Sequence, residues 1–496
     1  MGSERIGAHD FVERVVDPGS FIAWHLPARE PEDPAYAAEL AAARDKTGLD
    51  ESVLTGEATL DGRRVALVVG EFRFLGGSIG HAASDLILNA VDRASAERIP
   101  LLAAPCSGGT RMQEGTAAFV QMVKIGQAVQ AHRHAGLVYL VHLRHPTTGG
   151  VLASWGSLGQ YTTAEPNALI GFLGPRAQEA ITGEMIPEGI QRAENLQQRG
   201  ILDAVVPVDE LRAVWATLLS AAGAPRVGPR VVRREQAHLV VEADPWASVQ
   251  ATRSSERPGL VDLAHFECTD MVWFSGTGDG QVDPAVRVGL AKFRDIPCVL
   301  VGHDRSASHG EPLSPAGLRL ARRGFRLADE LRIPVVSIID TPGAALTQQA
   351  EEMALAGEIA RTLGWLADLR VPTVSLILGQ GGGGAALAML PADRMLCAGK
   401  GWLAPLAPEG ASAIVHRNGD MAAEMSRRQR LAAHDLARDG VVDEVVTEPD
   451  DMTGEGAETF CHSVGEAVAH HLHELLDMPD DERLAHRRER FRSMGR

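Results

Sequence analysis

The sequence predicts an α/β protein made of two tandem domains built to one plan. Three observations carry this. The chain has 496 residues, more than a single hydrophobic core serves. Strand-length apolar runs alternate with helical stretches of ten or more residues, the mark of βαβ units. The runs also recur. Arg98-Ile99-Pro100 opens one that ends in Cys106-Ser107-Gly108-Gly109-Thr110, and 234 positions later Arg332-Ile333-Pro334 opens another that ends in Asp340-Thr341-Pro342-Gly343-Ala344. At the same offset, run 138–143 leads to Gly149-Gly150 and run 374–378 leads to Gly383-Gly384, while Ala168-Leu169 answers Trp402-Leu403. Gly200-Ile201-Leu202-Asp203-Ala204-Val205-Val206 answers Gly440-Val441-Val442-Asp443-Glu444-Val445-Val446 at an offset of 240.

Taken in order, the Ala/Glu/Arg stretch 34–46 reads as a helix. Strands are expected at 65–69, 101–104, 138–142, 168–172 and 205–206, with helices between them over 84–97 and 116–132. The second of these helices follows Gly115-Thr116, a suitable N-cap. Periodicity breaks at 223–234, where Gly-Ala-Pro, Val-Gly-Pro and Arg230, Arg233 and Arg234 interrupt it. The domains are therefore expected to span 1–228 and 229–496. The second repeats the strand order at 299–301, 335–339, 374–378, 403–406 and 445–446, with helices over 314–331 and 349–366. From Gly465 an amphipathic helix is expected, carrying His470, His471 and His473 on a solvated face and ending in a charged, frayed tail.

Composition narrows the function. An apolar fraction of 45% and a charged fraction of 23% suit a soluble globular protein. A net charge of −17 with no lysine-rich tract argues against a nucleic-acid partner. It leaves room for a local basic pocket that takes a phosphorylated cofactor. The apolar runs are strand-length, so no membrane span is expected. Cysteines at 106, 268, 298, 397 and 461 form no CxxC pair, which excludes a zinc ribbon and a disulfide framework and points to the cytoplasm. No secretory signal opens the chain, and Ile6 stands where a myristoylation site needs Ser or Thr.

The candidate chemistry lies in the glycine pairs. Gly381-Gly382-Gly383-Gly384 lacks the Gly-Lys-Ser/Thr of a P-loop, and Gly76-Gly77-Ser78-Ile79-Gly80 lacks GxGxxG spacing. A single pair would read as a tight strand-to-helix turn. Four pairs at repeated spacing point instead to backbone N–H groups laid bare for an oxyanion, since the missing Cβ lets a carbonyl approach closely. A helix after each second pair would add its unpaired amides and its dipole. Side chains offer less. His132, His134, His142 and His145 show no metal-ligand spacing, and Ser107, Ser154 and Ser157 lie in no Gly-x-Ser-x-Gly elbow. Cys106 reads as a buried strand-end thiol, and Asp340 as either a loop cap or a base.

The motifs resemble a known family. In the first half, Lys46-Thr47-Gly48-Leu49-Asp50, Phe72-Arg73-Phe74-Leu75-Gly76-Gly77-Ser78-Ile79-Gly80, Ser107-Gly108-Gly109-Thr110-Arg111-Met112-Gln113-Glu114-Gly115 and Pro146-Thr147-Thr148-Gly149-Gly150-Val151 look like the β subunit of bacterial acetyl-CoA carboxylase carboxyltransferase. In the second, Asp340-Thr341-Pro342-Gly343-Ala344, Gly379-Gln380-Gly381 with Gly383-Gly384-Ala385, and Pro408-Glu409-Gly410 resemble its α subunit. The likeness covers 9–210 and 290–448.

That resemblance implies two crotonase-like (ClpP/crotonase) domains in tandem, each a spiral of ββα repeats. It implies transfer of a carboxyl group from carboxybiotin to the α-carbon of a short acyl-CoA, acetyl-CoA giving malonyl-CoA or propionyl-CoA giving methylmalonyl-CoA, in fatty acid biosynthesis. Gly149 and Gly150, helped by Gly108, Gly109, Thr110 and Arg111, would hold the thioester enolate. Gly383, Gly384 and Ala385, helped by Gly343 and Ala344, would hold the biotin side. The biotin nitrogen would take the proton, so no side-chain base is needed. Leu387 stands where related enzymes tune acyl length. No Ala-Met-Lys-Met motif and no ATP-grasp pattern are present, so biotin carboxyl carrier protein and biotin carboxylase are expected on separate chains. A homo-oligomer is expected, its sites pairing the first half of one copy with the second half of another. The sequence departs from the family in lacking the four-cysteine zinc ribbon and in carrying Ala411-Ser412-Ala413-Ile414-Val415-His416 after Pro-Glu-Gly. Two alternatives stay open: a decarboxylase subunit acting on a malonyl-type thioester, and a non-catalytic scaffold.

Overall fold

The computed structural model describes residues 6–26, 31–223 and 243–494. The interruption expected at 223–234, including Arg230, Arg233 and Arg234, lies from 224 onward outside the described residues. The chain forms two compact units. The first takes in Met1–Leu219 with Phe274–Gln281, the second Ser220–Trp273 with Val282–Arg496.

In the first unit the strands are β1 (Ile22–Ala23), β2 (Val53–Leu60), β3 (Arg63–Gly70), β4 (Leu101–Ala104), β5 (Tyr139–Leu143), β6 (Thr147–Thr148), β7 (Tyr161–Ala164), β8 (Ile170–Gly171) and β9 (Ala204–Val205). The main sheet runs β1-β2-β3-β4-β5-β7-β9. Its β1–β2 and β2–β3 pairs are antiparallel, and pairs from β3 onward are parallel. The β2–β3 turn places Asp61 and Gly62 at φ 50° and 72°, the conformation of a two-residue primed hairpin. Helix His81–Ala96 buries Ala83, Ile87, Ala90, Val91 and Ala94, one stripe at helical spacing, in the core with Val68, Leu101, Ala103 and Val141. Segment Phe274–Gln281 also belongs here. Gly278 N donates to Gly200 O at 2.8 Å, and Phe274 meets Tyr161 edge-on at 5.1 Å.

The second unit repeats this pattern with β10 (Cys268–Trp273), β11 (Val286–Phe293), β12 (Ile296–His303), β13 (Val335–Thr341), β14 (Thr373–Gly381), β15 (Arg394–Ala398) and β16 (Glu444–Val446). They lie in that order, antiparallel up to β12 and parallel beyond. Arg294 and Asp295, at φ 44° and 69°, make the equivalent turn without glycine. Helix Pro315–Leu331 starts from Ser314, whose hydroxyl accepts from Ala316 N at 3.2 Å. Helix Gly454–Asp477 buries Phe460, Val464, Val468 and Leu472 against Leu300, Leu376 and Leu396.

A second layer repeats too. In the first unit Ile79 bridges Thr110, Ser107 bridges Thr147, and β6 pairs with β8. In the second Leu313 bridges Ala344, and Gly382 bridges Ala404. These short pairings turn each βα unit back across the main sheet, which is the crotonase-like spiral in tandem.

Two expectations on elements are corrected. The fourth strand of each parallel set is β7 or β15, and 168–172 and 403–406 belong to the second layer. The tail is ordered by helix Asp480–Ser493, where buried Arg483 and Arg487 pair with Asp393. His471 and His473 are buried, and His471 Nε2 lies 3.0 Å from Glu444.

Candidate functional site

The site begins where β4 and β5 end. Thr148 N donates to Ser107 O at 2.9 Å, and Ser107 N donates to Pro146 O at 2.8 Å, which locks the two loops together. Gly149 then turns the chain at φ 66° into helix Gly149–Leu152. A Cβ on Gly149 would stand 3.1 Å from Gly109 Cα and 3.3 Å from Gly108 O, tighter than ordinary contact. Glycine at 149 thus lets one loop lie close on the other.

The hydrogen bonds separate amides that build the turn from amides left for a ligand. Gly149 N donates to Phe172 O at 2.9 Å, Gly108 N to Gly76 O at 2.8 Å, and Gly109 N to Ser107 Oγ at 3.0 Å. Those three expected donors are committed to the fold. Gly150 N lies in the first helical turn, ahead of any carbonyl four residues back within the helix. Ile79 N→Gly109 O and Arg111 N→Ile79 O bracket Thr110 and turn its own N–H to the opposite side of the extended chain. The amides of Thr110 and Gly150 are therefore the ones these loop hydrogen bonds leave over.

The second unit has the same division. Gly343 N donates to Thr341 Oγ1 at 3.2 Å, and Gly383 N donates to Ala404 O at 2.9 Å, Gly383 having φ 61°. Gly384 and Ala385 sit in the first turn of helix Gly383–Ala388. Leu313 N→Gly343 O and Ala345 N→Leu313 O bracket Ala344. The amides of Ala344, Gly384 and Ala385 are not used by these loop hydrogen bonds; Ala344 and Gly384 are partly accessible and Ala385 is buried. Leu387, in the same helix, is 48% exposed. The turns are not sealed in: Gly150, Gly343, Ala344, Gly383 and Gly384 are all partly accessible.

Arg111 needs correction as a substrate contact. It is fully buried, and its N–H groups go to Glu51 Oε1 (2.7 Å) and Oε2 (3.0 Å), Tyr36 Oη (3.1 Å), Ser78 O (2.6 Å) and Ser78 Oγ (3.1 Å). With all five donors occupied, it supports the loop from behind. Sequence reading missed this because its partners lie 33 to 75 positions away. Glu114 continues the same support, accepting from His81 N at 2.6 Å and from Tyr36 Oη at 2.5 Å.

Near the end of β13 lies buried Asp340. Its Oδ1 accepts from Gln380 N at 2.9 Å, and its Oδ2 stands 3.6 Å from Arg305 Nε. Burial pushes its carboxyl above the usual range, opposed by the charge of Arg305. Nearby His303 is pushed down to about 4 by burial. Cys106, the counterpart in the first unit, sends its thiol to His145 O at 3.1 Å. Among the described residues no cluster of His, Cys, Asp or Glu could hold a metal ion, and no helix is long and apolar enough to cross a membrane.

Residues 230–495 match the family model for acetyl co-enzyme A carboxylase carboxyltransferase-like proteins. Across 99% of both chains, the protein is 51% identical to the probable biotin-dependent acyl-coenzyme A carboxylase beta3 subunit of Mycobacterium tuberculosis. The chain belongs to this carboxyltransferase family. Its reaction is carboxyl transfer between biotin and an acyl-CoA. It is also 40% identical to the acetyl-coenzyme A carboxylase carboxyl transferase subunits beta/alpha of Salinispora arenicola, over 99% of this chain and 91% of that one. Among solved structures, the transcarboxylase 12S hexamer with methylmalonyl-coenzyme A bound matches with a TM-score of 0.76 at 20% identity, over 96% of this chain and 90% of that one. A single-chain long-chain acyl-CoA carboxylase matches at 0.71 and 18%, over 94% of this chain and 45% of that one. Both share the tandem fold.

Proposed function

We propose that this carboxyltransferase works in the carboxylating direction on a short acyl-CoA, acetyl-CoA or propionyl-CoA, in fatty acid biosynthesis in the cytoplasm. Thr110 N and Gly150 N would hold the oxygen of the acyl thioester as its Cα loses a proton. Ala344, Gly384 and Ala385 amides would hold the ureido oxygen of biotin as the N–CO₂ bond breaks. The biotin nitrogen takes the Cα proton, and the Cα electron pair forms the new C–C bond to CO₂. The observation that supports this most is the pair of amide sets left over once the loops have made their own hydrogen bonds. Each well-placed donor contributes about 3 kcal/mol in a dry site.

The substrates come from other chains: biotin on a carboxyl carrier protein, charged by a separate biotin carboxylase. A homo-oligomer fits the large apolar side chains exposed in the stretches around the turns. Met112, Phe172, Ile181 and Met185 are 69–83% exposed in the first unit, and Leu346 and Ile414 are 85% and 74% exposed in the second. Such side chains are covered when copies associate. Leu387 would then face the acyl group of a neighbouring copy.

The test supplies biotinylated carrier, biotin carboxylase, ATP and bicarbonate, and measures malonyl-CoA and methylmalonyl-CoA formation. If no CoA thioester consumes carboxybiotin, the reading is wrong. Light scattering that shows an active monomer would remove the oligomer.

A further inference from the structure

The wall beside Gly150 bears on which acyl group fits. In a helix the Cβ tilts toward the N-terminus, the end to which first-turn amides also point. Atoms that a side chain at Gly150 would meet therefore border its free N–H. They are Thr110 Oγ1 at 3.3 Å and Met122, with Cγ at 3.5 Å and Sδ at 3.9 Å. Met122 comes from helix Gln121–His134, is 7% exposed and joins the core that holds Ile125 and Val151. Ser154 Oγ donates to Gly150 O at 2.5 Å and lies 3.5 Å from Met122 Sδ, which braces the thioether from below.

The second hole is walled differently. A Cβ on Gly384 would meet Ile359 Cδ1 at 2.8 Å, a β-branched side chain that is stiff at χ1. Methionine has three rotatable bonds and a polarisable sulfur, and it adapts to the shape beside it. The adaptable wall thus stands where a substrate of variable chain length would bind, and the stiff one where a ligand of fixed shape would.

We propose that Met122 sets the size of acyl substituent accepted beside the Gly150 amide. This rests on the first unit being the acyl-CoA side. The experiment uses the full chain with Met122→Ala, Met122→Leu and Met122→Phe. Acetyl-, propionyl-, butyryl- and hexanoyl-CoA are compared by calorimetric Kd, and by kcat/KM with carboxylated carrier. Met122→Ala should raise the hexanoyl-to-acetyl preference at least tenfold, and Met122→Phe should lower it by a similar factor. Met122→Leu, close in volume, should stay within threefold of the parent. Met122→Phe keeps the proposal testable if the smaller variant does not fold. Ratios unchanged in the folded variants, in both Kd and kcat/KM, would overturn it. If Kd ratios shift while no variant and no parent transfers a carboxyl group, the inference stands and the proposed function falls.

Discussion

Gly382→Ala tests the backbone-donor argument without backbone strain, because Gly382 has φ −88° and ψ 123°, extended values open to any residue. A Cβ there would lie 2.2 Å from Pro342 O, 2.5 Å from Pro342 C and 3.2 Å from Gly343 N. Ordinary carbon–oxygen contact is about 3.3 Å, so the loop carrying Gly343 and Ala344 must withdraw by roughly 1 Å. Misplacement on that scale costs about 10²-fold in rate, and complete loss of one donor about 10²–10³-fold, or roughly 2.7–4 kcal/mol. The expected result is a fall in kcat of about 10²-fold or more for transfer from carboxylated carrier. Acyl-CoA affinity by calorimetry should stay within about twofold, since the first unit is untouched. Gly419→Ala is the control: nothing lies within 4 Å of its added carbon, and its φ is not in the left-handed region. Wild-type kcat in Gly382→Ala would refute the assignment of Ala344, Gly384 and Ala385 as working donors.

In the first unit, Gly109→Ala meets a different obstacle, φ 116°. It should lower stability by about 1–3 kcal/mol and transfer activity by about 10²-fold, read by urea unfolding and the transfer assay. Arg111→Ala leaves buried Glu51 without its charge partner and should cost about 3–5 kcal/mol; Arg111→Met with Glu51→Leu should recover most of it, and a harmless single change would dissolve the supporting role. Burial lowers His132 from 6.5 to about 4, His142 to about 3 and His303 to about 4. The unfolded chain takes up these protons below pH 6.5 and the folded chain does not until near 4 or below, so stability is complete above 6.5 and is lost as pH falls toward 4. Each histidine contributes about 1.4 kcal/mol per pH unit in that window. The urea midpoint should drop between pH 7 and 4.5, and less steeply in His142→Gln.

Much of this was legible in the sequence, because apolar run, glycine pair and helix repeat at one offset. The runs at 101–104, 138–142, 335–339 and 374–378 all became central parallel strands, since they are buried on both faces and need no alternation to show. β7 was hidden because Tyr-Thr-Thr-Ala is polar by composition. Its threonines are nonetheless buried, with Thr163 Oγ1 2.9 Å from His142 Nδ1. The stretch 403–406 looked like a strand but contains Pro405, which brings no N–H to a ladder, and only Ala404 is bridged. The hairpin strands β2 and β11 were missed because glycines and charged residues break their apolar pattern. At the site, the glycine pairs were visible, but which amide of each pair is free was not. That depends on Phe172 O and Ala404 O, acceptors on a different strand crossing, and only the folded second layer brings them to Gly149 and Gly383.

The two units keep one loop architecture while their side chains differ. Side chains at matching positions have parted company: Cys106 against Asp340, Ser107 against Thr341, Thr110 against Ala344. The hydroxyl still caps the glycine amide in both, Ser107 on Gly109 and Thr341 on Gly343. The first glycine of each pair still turns at φ near 60° to give its N–H to the second layer. What is kept is a backbone path, and a backbone donor places few demands on the side chains that surround it. Substitution should therefore be tolerated beneath the loops where volume is kept, as at Cys106, and resisted at Gly149 and Gly382, where an added carbon would crowd the facing loop, and at Gly109 and Gly383, whose φ of 116° and 61° side chains rarely adopt.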